Sequence, residues 1–278
     1  MRIDGNTEVI AHLGFPTHSF KAPLIYNPYF EAAGINALVV PMACEAQPFA
    51  QVLKAFFELR NSRGALITMP HKVSVVSLLD DVSAAVQVSG ACNAVKRLAD
   101  GRLAGDQFDG EGFVRGVRRK GLKLEGARCL VVGCGGVGRP IAASLAQAGA
   151  AEIALHDVSP HAVADLAQRL RSHYPGLAVT VAGNDPHGFD LVVNATPLGM
   201  RDGDSLPIDP QRLQARTFVG DVVMRTAMTP LLQAARERGC ALQVGTDMLF
   251  EMIPAYLEFF GLPVTTPERL RELARLES

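Results

Sequence analysis

The stretch Ala127–Asp157, ARCLVVGCGGVGRPIAASLAQAGAAEIALHD, decides the fold. An apolar run, Cys129–Val132, stops at Gly133, and Gly133, Gly135 and Gly138 stand at G-x-G-x-x-G spacing with Gly136 and Val137 between them. Ile141–Gly149 reads as a helix and Glu152–Asp157 as a second strand. The glycine spacing alone is a weak signal; a strand before it and a helix after it make it specific. The first glycine permits a tight turn, the second lets the backbone approach a pyrophosphate, and the third lets helix and strand pack closely. The helix N-terminus then offers unpaired N–H groups and a positive dipole end to an anion. The loop of Gly133, Gly135, Gly136, Val137 and Gly138 therefore predicts a dinucleotide site. The plainer alternative is a βα turn with no ligand.

The second strand ends at Asp157, near the ~20-residue distance at which an acidic side chain meets the adenosine ribose. A carboxylate there accepts hydrogen bonds from the ribose hydroxyls and repels a 2′-phosphate. Val158, Ser159 and Pro160 follow without a cation, and His161 is the only candidate. NAD is favoured over NADP. The alternative role for Asp157 is a helix N-cap.

Outward from this stretch, strands and helices continue to alternate. His161–Tyr174 reads as a helix, Asp190–Met200 as a strand running into a loop, Thr217–Val223 as a strand, Leu231–Gly239 as a helix and Cys240–Gly245 as a last strand. Upstream, TEVIAHLG, NALVVPM and GALITMP look like strands, and PLIYNPYFEAAG and QPFAQVLKAFFELRN like helices. Such alternation implies mainly parallel α/β sheets. The expected fold class is two-domain α/β: an N-terminal α/β substrate domain over 1–107, with helices 246–278 packing back on it, and a Rossmann NAD(P)-binding domain over 108–245.

The chain has 278 residues, 48 % hydrophobic and 20 % charged, with a formal net charge of −1. That is ordinary globular composition. No basic tract suggests nucleic acid or an anionic membrane as partner. The five cysteines are odd in number and never at C-x-x-C spacing, which supports neither a disulfide framework nor a structural zinc. No His/Asp/Glu cluster has metal-ligand spacing. The start, MRIDGNTEVIAHLG, lacks the pattern of a signal peptide, and no apolar run approaches the roughly 18 residues of a membrane span. A cytoplasmic protein, monomer or homodimer, acting on a small molecule is expected.

A second stretch, Ala65–Lys72 (ALITMPHK), raises the chemistry. The plainer reading of Lys72 is a solvated charge beside a turn. The chain resembles the shikimate/quinate dehydrogenase family through pieces that occur in order along nearly its whole length. They are GALITMPHK, GACNAV at 90–95, DGEGF at 109–113, the glycine loop, VVNATPLGM at 192–200, Asp221 with Thr229–Leu232, and Gly245 with Met248 and Leu249. The resemblance implies NAD(P)-linked interconversion of a ring secondary alcohol and its ketone. It makes Lys72 and Asp109 the catalytic pair and Thr68 and Asn93 substrate contacts. It lays Asn194, Thr196 and Gly199 along the cofactor, with Gly245 also on the cofactor side. Hydride transfer needs a partner for the hydroxyl proton, and a lysine with a neighbouring carboxylate suits that task. Asn93 has a plainer role as a turn residue, and His71 reads as structural.

The sequence also departs from the family pattern. Aligned on Gly14, Pro16 and Pro23, the two serines of the S-x-S-P carboxylate-binding piece become Phe20 and Ala22. Phe108 stands in the family's N-T-D-G, Met224 replaces a pocket tyrosine, and Met252 replaces a glutamine. All five changes run from polar to apolar. Polar substrate groups would lose their partners there, so a less polar hydroxy-ring compound than shikimate is expected. A one-residue slip bringing Ser19 into register, with ordinary shikimate binding, is the alternative. A catalytically silent NAD-binding regulatory protein, and a dehydrogenase acting on amino acids or folates, are the competing functions.

Overall fold

The computed structural model describes residues 3–226 and 228–276. The first two residues of the N-terminal stretch read above, and residues 277 and 278 of the expected tail, lie outside the described residues. Contacts divide the chain into two units, one holding residues up to Gln87, Ala91–Phe108 and residues from Ile253 on, the other Val88–Gly90 and Asp109–Met252.

The first unit opens with β1 (Glu8–Gly14), α1 (Pro23–Ala33), β2 (Ala37–Ala43), α2 (Phe49–Glu58) and β3 (Ser62–Ile67). It continues with β4 (Asp81–Val82), α3 (Ala84–Ser89), β5 (Ala94–Arg97) and β6 (Leu103–Asp106). The sheet order is β2-β1-β3-β5-β6-β4. β1 runs parallel to β2 and β3, as strand–helix alternation demands. β5 is antiparallel to both β3 and β6, so this sheet is mixed. The reason is local: a short hairpin turning at Gly101 (φ +90°) joins β5 to β6, and a short hairpin can join only antiparallel strands. Side chains alternate along β1. Ala11 and Leu13 enter the core under α2 with Leu53 and Phe57, which turns Ile10 and His12 to the opposite face.

The second unit contains α4 (Asp109–Arg119), β7 (Arg128–Val132), α5 (Gly138–Gln147), β8 (Glu152–His156), α6 (Pro160–His173) and β9 (Ala178–Val181). Then come β10 (Leu191–Asn194), β11 (Phe218–Asp221), α7 (Pro230–Glu237) and β12 (Ala241–Gln243). Its strands, all parallel, lie in the order β9-β8-β7-β10-β11-β12. Strand order reverses between β7 and β10, the place where a doubly wound sheet opens a crevice for a dinucleotide. Both faces are covered. Cys129 and Val131 pack with α4 and α5 residues such as Phe113 and Ile141, and Leu130 and Val132 pack with Leu231, Leu232 and Ala235 of α7. Two buried faces explain why β7 reads as an unbroken apolar run.

Helix α8 (Gly245–Phe259) corrects the expected boundary at residue 246. Its first half belongs to the second unit, because it lies against α4: a Cβ on Gly112 would come within 2.7 Å of Met248 O and Met252 Cβ. Glu251 also pairs with Arg119 and Asp247 with Lys120. The D-G-x-G spacing thus has a packing cause. A Cβ on Gly110 would strike the Pro140 carbonyl and Ser144 Oγ of α5. Helix α9 (Pro267–Leu273) follows in the first unit.

Gly110→Ala is expected to destabilise the protein by about 1–3 kcal/mol through overpacking, read from urea unfolding. Gly183→Ala, at a position open to solvent, is the control and should fall within about 0.5 kcal/mol of wild type. A second expectation concerns His12, whose imidazole is pushed down to about 3 by burial and then by the Lys72 charge. The folded protein keeps it neutral, while the unfolded chain takes up a proton below about 6.5. Stability is therefore lost as pH falls below that value, by about 2 kcal/mol between pH 7 and pH 5 from this group. The difference in unfolding free energy between wild type and His12→Gln should shift by that amount in favour of the variant.

Candidate functional site

In the second unit, the glycine loop leaves β7 at Gly133, whose φ of +104° only glycine adopts readily. A Cβ there would also lie 2.7 Å from the Ala195 carbonyl, and one on Gly138 would strike the Gly133 carbonyl. Gly135 differs: nothing lies within 4 Å of the place its Cβ would take. The first and third glycines are fixed by the protein's own backbone, and the second faces open space. That is the room an approaching pyrophosphate needs, so the loop fits a dinucleotide. Val137 precedes the first turn of α5, and Gly136 lies beside it. Arg139, buried, donates through Nε to the Cys134 carbonyl at 3.0 Å and pins the loop from behind.

Asp157 follows the end of β8. Its carboxylate accepts from the amide of Cys134 in the glycine loop at 2.6 Å and from the Ser159 amide at 2.8 Å. The N-cap of α6 is Ser159, whose hydroxyl accepts from the Ala162 amide, so the capping role open to Asp157 in the sequence belongs to Ser159.

Beyond β10, Asn194 organises its own loop. Its Oδ1 accepts from the Thr196 amide and hydroxyl, at 3.1 and 2.6 Å, and its Nδ2 donates to the Leu198 carbonyl and to Asp221. Asp221 also accepts from the Thr229 hydroxyl at 2.7 Å, and burial raises its carboxyl above the usual range. The side chains of Asn194 and Thr196 are thus committed to shaping the loop. Gly245 lies so close to the Val222–Val223 backbone that a Cβ would collide with it. Met224 packs against the apolar core, and Met252 is buried beside Gly112.

In the first unit, the P-H-K turn follows β3. The Thr68 amide donates to Leu13 O at 3.0 Å, and the Ile67 amide to Asn93 O at 2.8 Å. His71 is fully buried, stacks on Phe49 with centroids 3.8 Å apart, and faces the Cys44 carbonyl through Nε2 at 2.7 Å. This partner places the proton on Nε2 and gives the ring an anchoring role. Lys72 is half-buried, and its carbonyl accepts from the Cys92 amide at 2.7 Å. A tight turn with a short 3-10 segment, Ser74–Leu78, follows it.

Asn93 is wholly buried. Its Oδ1 accepts from the Phe108 amide at 3.0 Å, and its Nδ2 has no partner among the described residues. Phe108 packs edge-on against Tyr256 and Phe259, with centroids 4.8 and 5.8 Å away. Phe20 reaches the end of β1, where its ring and Thr68 both crowd Gly14. Ala22, buried, immediately precedes α1. The sequence reading missed His12. It stacks under Phe20 with centroids 4.0 Å apart, and its Nδ1 is buried without a partner among the described residues. The available signal was one ionisable residue inside an apolar strand, two positions before the strand's carboxyl end. By unit, Lys72, Thr68, Asn93, Phe20, Ala22 and Phe108 belong to the first, and Asp109, Met224 and Met252 to the second. Asp109 is buried at the first turn of α4.

A profile of the shikimate dehydrogenase substrate-binding domain matches residues 13–95, and one of the ThiF family matches residues 113–162. The shikimate dehydrogenase (NADP+) of Rubrobacter xylanophilus is 35 % identical over 257 residues, covering 89 % of this chain and 88 % of that protein. Quinate dehydrogenase from Corynebacterium glutamicum, solved in complex with NAD, superposes with a TM-score of 0.85 at 29 % identity, covering 96 % and 98 % of the two chains. Shikimate 5-dehydrogenase from Listeria monocytogenes, solved with shikimate and NAD, shares the fold with a TM-score of 0.88 at 24 % identity, covering 98 % of each chain. With its doubly wound dinucleotide-type unit and this identity over nearly its whole length, the chain belongs to the shikimate dehydrogenase family, oxidoreductases dependent on NAD(P).

Proposed function

We propose that this chain is an NAD-preferring dehydrogenase that interconverts a ring secondary alcohol and its ketone, with Lys72 and Asp109 as its catalytic pair and a substrate pocket more apolar than the family pattern. The observation that carries this reading is a combination of retention and loss. The lysine of P-H-K and the aspartate of D-G-x-G-F are both present, while the two serine positions hold Phe20 and Ala22.

A bound nicotinamide supplies the hydride acceptor or donor. The chain's own residues manage the proton and the charge. The Lys72 ammonium stabilises negative charge developing on the substrate oxygen, or as a neutral amine takes the hydroxyl proton. The Asp109 carboxylate positions the hydroxyl. Thr68 and Asn93 orient the ring through hydrogen bonds. The pocket's apolar members, Phe20, Ala22, Phe108, Met224 and Met252, offer no hydrogen bonds to a carboxylate or polyol edge, which weakens shikimate relative to a less polar ring.

On the cofactor side, Gly133, Gly135, Gly136, Val137 and Gly138 cradle the pyrophosphate, and Asn194, Thr196, Gly199 and Gly245 line the same crevice. Asp157 supports NAD. Its carboxylate stands beside the glycine loop, where a 2′-phosphate would meet a like charge, although the relatives named above include an NADP+ enzyme. The Corynebacterium quinate dehydrogenase, solved with NAD, is in keeping with this choice. In solution the protein is taken as a monomer or homodimer.

Absorbance of reduced nicotinamide, followed with shikimate and quinate and with NAD and NADP, checks the reading. NAD should be used at least about tenfold better than NADP. Asp157→Ser should narrow that ratio by about tenfold, the worth of roughly 1.4 kcal/mol. Lys72→Ala should lower kcat by about 10²–10⁴-fold while NAD binding persists. Robust turnover of shikimate, equal to that of any other ring alcohol tried, would remove the apolar-pocket part. NAD binding with no turnover of any ring alcohol would point to a regulatory role.

A further inference from the structure

We propose that His12 is a specificity-determining residue of the first unit, and that with the Asn93 amide it hydrogen-bonds oxygens of an uncharged ring polyol, a substrate without the carboxylate of shikimate and quinate. The inference rests on the dehydrogenase reading above and narrows its substrate class.

Position comes first. His12 lies two residues before the end of β1 and shares a sheet face with Gly14 by strand alternation. Ligands of parallel α/β sheets bind beyond the carboxyl ends of the strands. Thr68 and Phe20 both crowd Gly14 at that end. Asn93 joins the same end, since its carbonyl accepts from the Ile67 amide at the close of β3.

Hydrogen-bond bookkeeping comes second. His12 Nδ1 and Asn93 Nδ2 are both buried and, among the described residues, both without a partner. Folded proteins rarely leave such groups unpaired, and those that do so commonly complete them with a ligand or water. Asn93 is otherwise tied down, with its Oδ1 held by the Phe108 amide at 3.0 Å. Its amide hydrogens have no partner among the described residues.

The third point is charge. Phe20 covers the imidazole face at 4.0 Å between centroids, and Ala22 has no hydroxyl. A substrate carboxylate would give up water against these two side chains without gaining donors from them. His12 adds no positive charge, because burial and the neighbouring Lys72 keep its ring neutral. A neutral imidazole carries one donor and one acceptor nitrogen, and a hydroxyl satisfies either. The arrangement suits an oxygen that both gives and takes a hydrogen bond.

The test compares quinate and shikimate with their methyl esters, which keep the ring and remove the charge, using the full-length protein with NAD. Wild type should show kcat/KM for an ester at least about tenfold above that for its acid, the worth of one hydrogen bond or more. His12→Phe keeps a ring for Phe20 to stack on and removes both nitrogens. It should raise KM for the ester about tenfold with kcat within about threefold, and His12→Gln should recover most of that loss. A purely structural role would not produce this split or this rescue. A wild-type preference for the acid, with Lys72→Ala inactive, overturns this inference and leaves the dehydrogenase reading standing. An unchanged KM in His12→Phe overturns it too. Absence of turnover with acids and esters alike, while NAD still binds, overturns the dehydrogenase reading and this inference with it. The wild-type comparison needs no variant to fold.

Discussion

The second unit depends on how closely backbone approaches backbone where β7 ends. A side chain at Gly138 would strike the Gly133 carbonyl, and one at Gly133 would meet the Ala195 carbonyl carbon and oxygen. With no Cβ at either position, α5 begins directly at the strand end, and its N-terminus faces the crevice at the strand-order reversal. The loop between them then has one open side, at Gly135. Arg139 and Asp157 hold the loop through the Cys134 carbonyl and amide, so the same residues that close the turn fix where an anion meets it.

The first unit uses polar anchors for the same end. Burying a backbone turn requires partners for its amides and carbonyls. The P-H-K turn takes them from β1, through Leu13 O, and from the 92–93 segment, through Cys92 N. His71 supplies a further anchor, ring against Phe49 and nitrogen against the Cys44 carbonyl. Lys72 is thereby placed by its backbone. Asn93 is placed by Phe108. Phe108 makes this contact with its amide, while its ring joins the Tyr256–Phe259 cluster.

This division separates the groups that hold the P-H-K turn from the side chains that flank it. The groups that hold Lys72 and Asn93 are main-chain atoms and one imidazole. Phe20 and Ala22 have hydrocarbon side chains and supply none of these anchoring bonds. Burial then sets the character of what remains. His12 is neutral because water is excluded from it and a cation lies near, so an ionisable residue serves as a polar but uncharged one.

What the sequence determined by itself was local. The strand–loop–helix of residues 127–157 and five of the six strands of the second unit were legible, while the short β9 (Ala178–Val181) was not read, and Lys72, Asp109, Asn93 and Asp157 stood out as candidates. The signals for strands and helices, glycine spacing and apolar periodicity, lie within a few residues of each other along the chain, whereas Lys72, Asp109 and Asn93 were singled out by the resemblance of short motifs to a family. The tertiary structure decided what depends on partners far apart in sequence. It assigned the helix cap to Ser159 rather than Asp157, moved the first half of α8 to the second unit, and gave the D-G-x-G glycines a packing cause. It also brought Phe20 over His12 and left Nδ1 without a partner among the described residues. Periodicity tells which face of a strand a residue takes, but not which loop will later fold across that face. Burial, stacking and missing partners are set only when distant segments meet.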